Sequence, residues 1–463
     1  MNVLAWLTAG VAGWAWVRVL MPRQAGPAWA RLGFEAGLAL AFGTGAAAAL
    51  FFLLIWLGMK PAGAAWTADV LVLAGGGALW LLMRGKAAEA APAEPARPLP
   101  LAWVAGLAAA VSVLAFLAAV AVYLRANPQG DWDAWGAWNV RARMLVSEGL
   151  WRNAVSSELS EARPELPLLW PAAVARAWAE SGEIAQTAPQ AGAFFMSAAL
   201  ILIFALGASL LTGWAWGALA AAALLTATPL WRHAAGQGPE IPAAVFVLAA
   251  VITAAAAERA RWSAAGLVLS GALAGWASFT GNDGLVGCAA LLAALAAASR
   301  TRAAWWLAGA SPGLALTLAF HFLLSPSKAL FGLEGFSQAG RLGEALQAAA
   351  AGLWQLGDFP AHPFVFVLLL FVVFRPDRPW RPSWPALAGL LMAAGGLIAL
   401  WGAAGGAAPR GGVEGARLWL TSAPVLLLAA FMWLARPREP AAFAEAAEGP
   451  ARPKAVRASG AKQ

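Results

Sequence analysis

Apolar runs of about 20 residues recur along this chain, and that length is what a helix needs to cross a bilayer. They lie near residues 2 to 21, 34 to 58, 66 to 83 and 101 to 124. After a long polar break they resume near 190 to 211, 214 to 231, 240 to 258, 262 to 280, 284 to 299, 303 to 324, 362 to 375, 384 to 404 and 417 to 435. The expected fold is an all-α polytopic membrane protein of about thirteen transmembrane helices. Only 12% of the residues are charged, against about 25% in soluble domains, which excludes a soluble enzyme, a coiled coil and a disordered scaffold. One cysteine, Cys288, and three histidines leave no basis for a disulfide framework or a Cys/His zinc site. No Rossmann or P-loop fingerprint is present.

Lys and Arg in short loops mark the cytoplasmic side. Arg23 and Arg31, then Arg84, Lys86 and Arg97, then Arg259 and Arg261, then Arg300 and Arg302, then Arg375, Arg378 and Arg381, alternate with the spans. The net charge of +8 is therefore read as a topology signal rather than a nucleic-acid surface. The first span lacks a basic start and a small-residue cleavage site, so it reads as retained. This orientation puts 125 to 189, 232 to 239, 281 to 283, 325 to 361 and 405 to 416 outside. The expected divisions are a three-span unit (1–83), a cytoplasmic linker (84–100), a transmembrane core (101–324) with the large outside loop 125–189, C-terminal spans (325–435) and a basic disordered tail (436–463).

Between Arg125 and Glu183 stand eight of the 23 acids, six arginines and six tryptophans, too aromatic for disorder and too long for a plain connector. Gly130 to Leu145 has helical spacing, with Trp135, Trp138, Ala142 and Leu145 on one face, as in an amphipathic helix at the membrane interface. Asp131 and Asp133 stand at its start, as helix caps or as groups that meet a substrate. A short stretch from Pro164 to Trp178, interrupted by Arg176, reads as a re-entrant or surface helix. Two further polar breaks fall on the same expected side: Arg232-His233 to Pro239-Glu240-Ile241-Pro242, and Thr280-Gly281-Asn282-Asp283-Gly284. Glu240 again suits a cap, and the second break a turn. A carboxylate near lipid is costly without a partner, so Asp283 is expected to have one.

The motifs Gly130-Asp131-Trp132-Asp133-Ala134-Trp135, Asn139-Val140-Arg141-Ala142-Arg143, Pro164-Glu165-Leu166-Pro167-Leu168-Leu169, Pro239-Glu240-Ile241-Pro242 and Gly275-Trp276 through Asn282-Asp283-Gly284 occur in this order. Together they resemble the GT-C fold membrane glycosyltransferases, in the bacterial branch that uses polyprenyl- or dolichyl-phosphate sugars. The likeness covers roughly residues 100 to 300. It implies a GT-C-like layout in a bacterial inner membrane, with the active site on the extracytoplasmic side. The donor would be a polyprenyl-phosphate sugar, and the acceptor a hydroxyl on a glycan, lipid or protein. Asp133, with Asp131 second, maps to the catalytic base, Glu240 to the second outside acid, and Asn282 with Asp283 to the later polar pair. Family members commonly carry a lysine just before that pair, where this chain has Gly281.

The chemistry agrees with the residues. A carboxylate that takes the acceptor proton contributes about 10²–10⁴-fold, and guanidiniums assist departure of a phosphate. Arg141, Arg143 and Arg232, with His233, are the candidates for donor binding. Oxygen ligands from Asp133, Asp131 and Glu240 would suit Mg²⁺ or Mn²⁺, an optional cofactor. The alternatives are a membrane transporter, disfavoured by nearly charge-free central spans, and a non-catalytic assembly subunit.

Overall fold

The computed structural model describes residues 2–22, 24–83, 96–327, 340–357, 362–374, 383–403 and 412–436. All regular structure among them is helical. The helices are α1 (Asn2–Leu20), α2 (Ala28–Trp56), α3 (Pro61–Met83), α4 (Ala102–Ala126), α5 (Asn139–Val146), α6 (Leu169–Ser181), α7 (Thr187–Ile201), α8 (Gly207–Thr212), α9 (Trp214–Leu225) and α10 (Thr228–Ala235). They continue as α11 (Glu240–Arg259), α12 (Ala264–Thr280), α13 (Asn282–Ala298), α14 (Arg300–Ala319), α15 (Gly340–Trp354), α16 (Pro363–Phe374), α17 (Trp384–Ala403) and α18 (Gly412–Leu434). The expected tail after Arg436 and most of the expected linker, 84–95, lie outside the described residues.

Eight helical segments are long and apolar enough to span a membrane, or nine if α9 and α10, bent by 72°, make one broken span. This is the architecture of an integral membrane protein. The other apolar helices, Ala264–Thr280, Asn282–Ala298, Pro363–Phe374 and Trp419–Leu434, occupy four of the expected span positions. At 1.5 Å per residue they are shorter than the roughly 20 residues of a full crossing.

α11 is the centre of the bundle, buried from Ile241 to Ala257, as a helix apolar on every side must be. Small residues let neighbours close on one another: Gly271 and Gly275 of α12 face Gly309 and Gly313 of α14. A Cβ on Gly313 would stand 2.2 Å from the Gly275 carbonyl carbon. In a bilayer, where water does not drive helices together, such close backbone approach is a main source of association. The first three helices share the core with the rest, since Trp6 Nε1 donates to Ala188 O at 3.1 Å and Arg176 Nη2 to Ala5 O at 2.7 Å.

Two local expectations are corrected. The helix expected from Gly130 starts with a π turn, Ala134–Trp138, before α5. The extra residue of a π turn takes Trp135 off the apolar stripe, so Trp138, Ala142 and Leu145 are buried while Trp135 is exposed. α6, expected in part as a surface helix, is buried throughout from Leu169 to Ala179. Its charge is no obstacle, because Arg176 finds Asp69 of α3 and Glu180 one turn on.

Candidate functional site

The three polar breaks meet at one end of the bundle, where α4 finishes and α11 and α13 begin. α4 delivers Tyr123, the only tyrosine of the chain, whose hydroxyl donates to Asp131 Oδ1. The Asp131 N–H donates to Gly236 O at 3.2 Å, so the first break lies against the second. This contact requires glycine. A Cβ on Gly236 would meet Asp131 Oδ2 at 2.6 Å, and Gly130 turns the chain with φ +77° while a Cβ there would stand 2.6 Å from Gly236 O.

Asp133 is the meeting point of two guanidiniums. Its Oδ2 accepts from Arg417 Nη2 at 2.5 Å and lies 3.6 Å from Arg163 Nη2. The same Arg417 Nη2 is 3.5 Å from Glu240 Oε1 at the start of α11. Asp283 of α13 stands within electrostatic range of Glu240 and Arg417. His233 of α10 is within range of Glu240, Arg417, Asp131 and Asp133. Four carboxyls thus face two guanidiniums and an imidazole, drawn from five separate stretches of chain.

Asp133 makes no side-chain cap at the π turn, and neither α11 nor α13 has a side-chain cap hydrogen bond. Glu240 and Asp283 stand in the first turns of α11 and α13, where the helix dipole favours a carboxylate, and Asp133 and Glu240 are held by Arg417. Burial by itself would raise the Asp133 carboxyl, but the Arg417 hydrogen bond and the charges of Arg163 and Arg417 outweigh it and hold it below the usual aspartate range.

Several polar atoms here are buried and have no partner among the described residues: Arg417 Nε, Asn282 Oδ1 and Gln237 Oε1. Such groups are costly unless something satisfies them. Two residues also hold left-handed backbone without being glycine, Arg163 at φ +49° and Gln237 at φ +62°. Strain of this kind concentrates where a site fixes a side chain. Gln237 is clamped on both sides, with its Nε2 on Pro128 O at 3.3 Å and its carbonyl taking Trp170 Nε1 at 2.7 Å.

The arginines expected to bind a donor divide differently. Arg141 is fully buried, with Nε on Ala154 O at 2.9 Å and Nη2 on Leu166 O at 2.6 Å, so it staples the long loop to itself. Arg143 is exposed, and Arg232 lies over the Trp231 ring at 5.6 Å. The cations that reach the acids are instead Arg163 and Arg417. Arg417 had a legible signal: a lone arginine at the end of a span that the positive-inside pattern assigns to the other face.

Among the described residues no three His, Cys, Asp or Glu side chains gather to hold a metal ion. Of the three proposed ligands, Asp133 and Glu240 turn to Arg417 and Asp131 takes the Tyr123 hydroxyl. A ligand that displaced Asp133 would meet the Arg417 and Arg163 guanidiniums. Compared with known protein families, curated proteins and solved structures, the chain matches none.

Proposed function

We propose that this chain is an integral membrane glycosyltransferase of the GT-C kind, with about thirteen transmembrane helices. It would move a sugar from a polyprenyl-phosphate donor to an acceptor hydroxyl on the extracytoplasmic face of a bacterial inner membrane. The observation that carries this reading is the Arg417 centre, where one guanidinium joins acids from two polar breaks and its Nε has no partner among the described residues.

In the donor-free protein Asp133 holds the place of an anion. A donor phosphate that enters takes Arg417 and Arg163 by charge-assisted hydrogen bonds. Asp133, released from its ion pair, regains basicity beside the reacting centre. The acceptor oxygen then attacks the anomeric carbon, and the bond from that carbon to the phosphate oxygen breaks. The electron pair stays on the phosphate, stabilised by the guanidiniums. The acceptor proton passes to the Asp133 carboxylate. The Tyr123 hydroxyl orients Asp131, and Glu240 steers Arg417 through its charge.

One observation favours a second reading. An aspartate tied to two guanidiniums is a weak base, which suits a non-catalytic subunit whose acids only hold loops together. Transfer from a panel of radiolabelled polyprenyl-phosphate sugars into the glycan, lipid and protein fractions of membranes separates the two. With Asp133→Asn alongside at matched expression, transfer by the wild type and its loss in the variant support the enzyme. No transfer by either form, with donors and native membranes supplied, supports the subunit.

A further inference from the structure

A recess of about 660 Å³ opens on the lateral face of the bundle between α4 and α7, at the same end as the acid site. Its walls are apolar, including Val3, Ala121, Leu124 and Phe194, and Phe194 is 41% exposed. α4 and the helix from Thr187 to Thr212 both qualify as membrane spans, so hydrocarbon is the medium this recess faces. Its size falls in the range of about 300–1,000 Å³ usual for small-molecule sites.

The mouth is different in kind. Arg125, in the last turn of α4, is exposed and lines the recess. No carboxylate among the described residues pairs with it. Gln190 and Thr187 complete a polar rim. An apolar trough topped by one unpaired guanidinium at the depth where a span ends is complementary to a lipid with one negative charge in its headgroup.

We propose that this recess binds an anionic phospholipid of the bilayer, one acyl chain lying between α4 and α7 and the phosphate on Arg125. The site is distinct from the Arg417 centre and does not depend on the transfer reading, yet the two share a loop. The Pro128 carbonyl accepts from Gln190 Nε2 at 3.0 Å and from Gln237 Nε2 at 3.3 Å. Gln190 belongs to the lipid site and Gln237 to the second polar break. A seated lipid therefore braces the turn that leads into Asp131 and Asp133.

The test uses the full chain in nanodiscs of phosphatidylglycerol and phosphatidylcholine, then native mass spectrometry of lipids retained on release. Two variants act on separate parts of the site: Arg125→Ala removes the charge, and Ala191→Trp fills the trough. Arg152→Ala, an exposed arginine elsewhere in the loop, is the control. The expected result is one retained phosphatidylglycerol on the wild type and the control, with retention about tenfold lower or more in both variants at an unchanged melting temperature. Three results would overturn the proposal: equal retention in all forms, phosphatidylcholine held as well as phosphatidylglycerol, or added polyprenyl phosphate displacing phosphatidylglycerol from the wild type but not binding Arg125→Ala.

Discussion

Two arginines of this protein each stand between two carboxylates, and they differ in what closes them off. Arg176 is fully buried, with Nη1 on both Asp69 oxygens at 2.8 and 2.9 Å and on Glu180, and Nη2 on Ala5 O at 2.7 Å. Thr8 adds its hydroxyl to Asp69 at 3.3 Å. The knot joins α1, α3 and α6 and is sealed. Arg417 reaches Asp133 and Glu240 with the same nitrogen, and its side chain is 22% exposed. Each arginine leaves its Nε without a hydrogen-bond partner among the described residues, but the first guanidinium is wholly shut in by protein. The second is partly open, so a ligand can reach it, which is why the function is placed there.

The comparison breaks most sharply on stability. Arg176→Ala leaves two buried carboxyls facing each other, and removing one partner of a buried ion pair costs about 3–5 kcal/mol. Thermal unfolding in detergent is expected to show a melting temperature far below that of the wild type. Arg417→Ala is expected to keep its melting temperature near the wild-type value yet lose sugar transfer by about 10²–10³-fold, as removal of a transition-state donor does. If Arg417→Ala unfolds as badly as Arg176→Ala, the distinction between the two centres fails. Tyr123→Phe, which takes one hydrogen bond from Asp131, is a smaller change of about 1 kcal/mol, visible as a modest fall in transfer with donor affinity kept.

The most diagnostic effect is the opposite response to pH. Burial raises the Glu180 carboxyl; Arg176 opposes this and Asp69 adds to it, so Glu180 keeps its proton well above the ordinary glutamate range. A group raised on folding gives stability that is complete below its unfolded value and is lost as pH rises through the folded one. Asp133 is held low, so its contribution is present above the ordinary aspartate range and lost as pH falls through its folded value. Melting curves from weakly acid to alkaline pH are expected to decline with pH for the wild type and Asp133→Asn. Glu180→Gln is expected to flatten that decline, and an unchanged slope in it would remove the proton from the knot.

Much of the site was legible because polar residues are expensive in a chain so apolar. Asp131, Asp133, His233, Glu240 and Asp283 stand out wherever they interrupt a span, and the structure gathers all five. Arg417 was read as part of a span, since its partners lie far off in sequence and only folding shows that α18 comes back to α11. Arg141 looked like a ligand for phosphate because it is a guanidinium in the large outside loop beside the expected acids. The bonds that hold it run to Ala154 and Leu166, in a loop whose path has no periodic signal. α6 failed as a surface helix for the same reason, because the partner of Arg176 sits in α3. The all-helical membrane class followed from run length alone, whereas the shorter helices α12, α13 and α16 show that length is not fixed once a helix is packed among others.

The central claim is that Asp133 occupies the place of the donor phosphate on Arg417. Equilibrium binding of a polyprenyl phosphate without sugar to the wild type, Asp133→Asn and Arg417→Ala in nanodiscs tests it directly. The account predicts that Asp133→Asn binds several-fold more tightly than the wild type, because the competing carboxylate is gone, and that Arg417→Ala loses binding. Weaker binding by Asp133→Asn, or undiminished binding by Arg417→Ala, would contradict it.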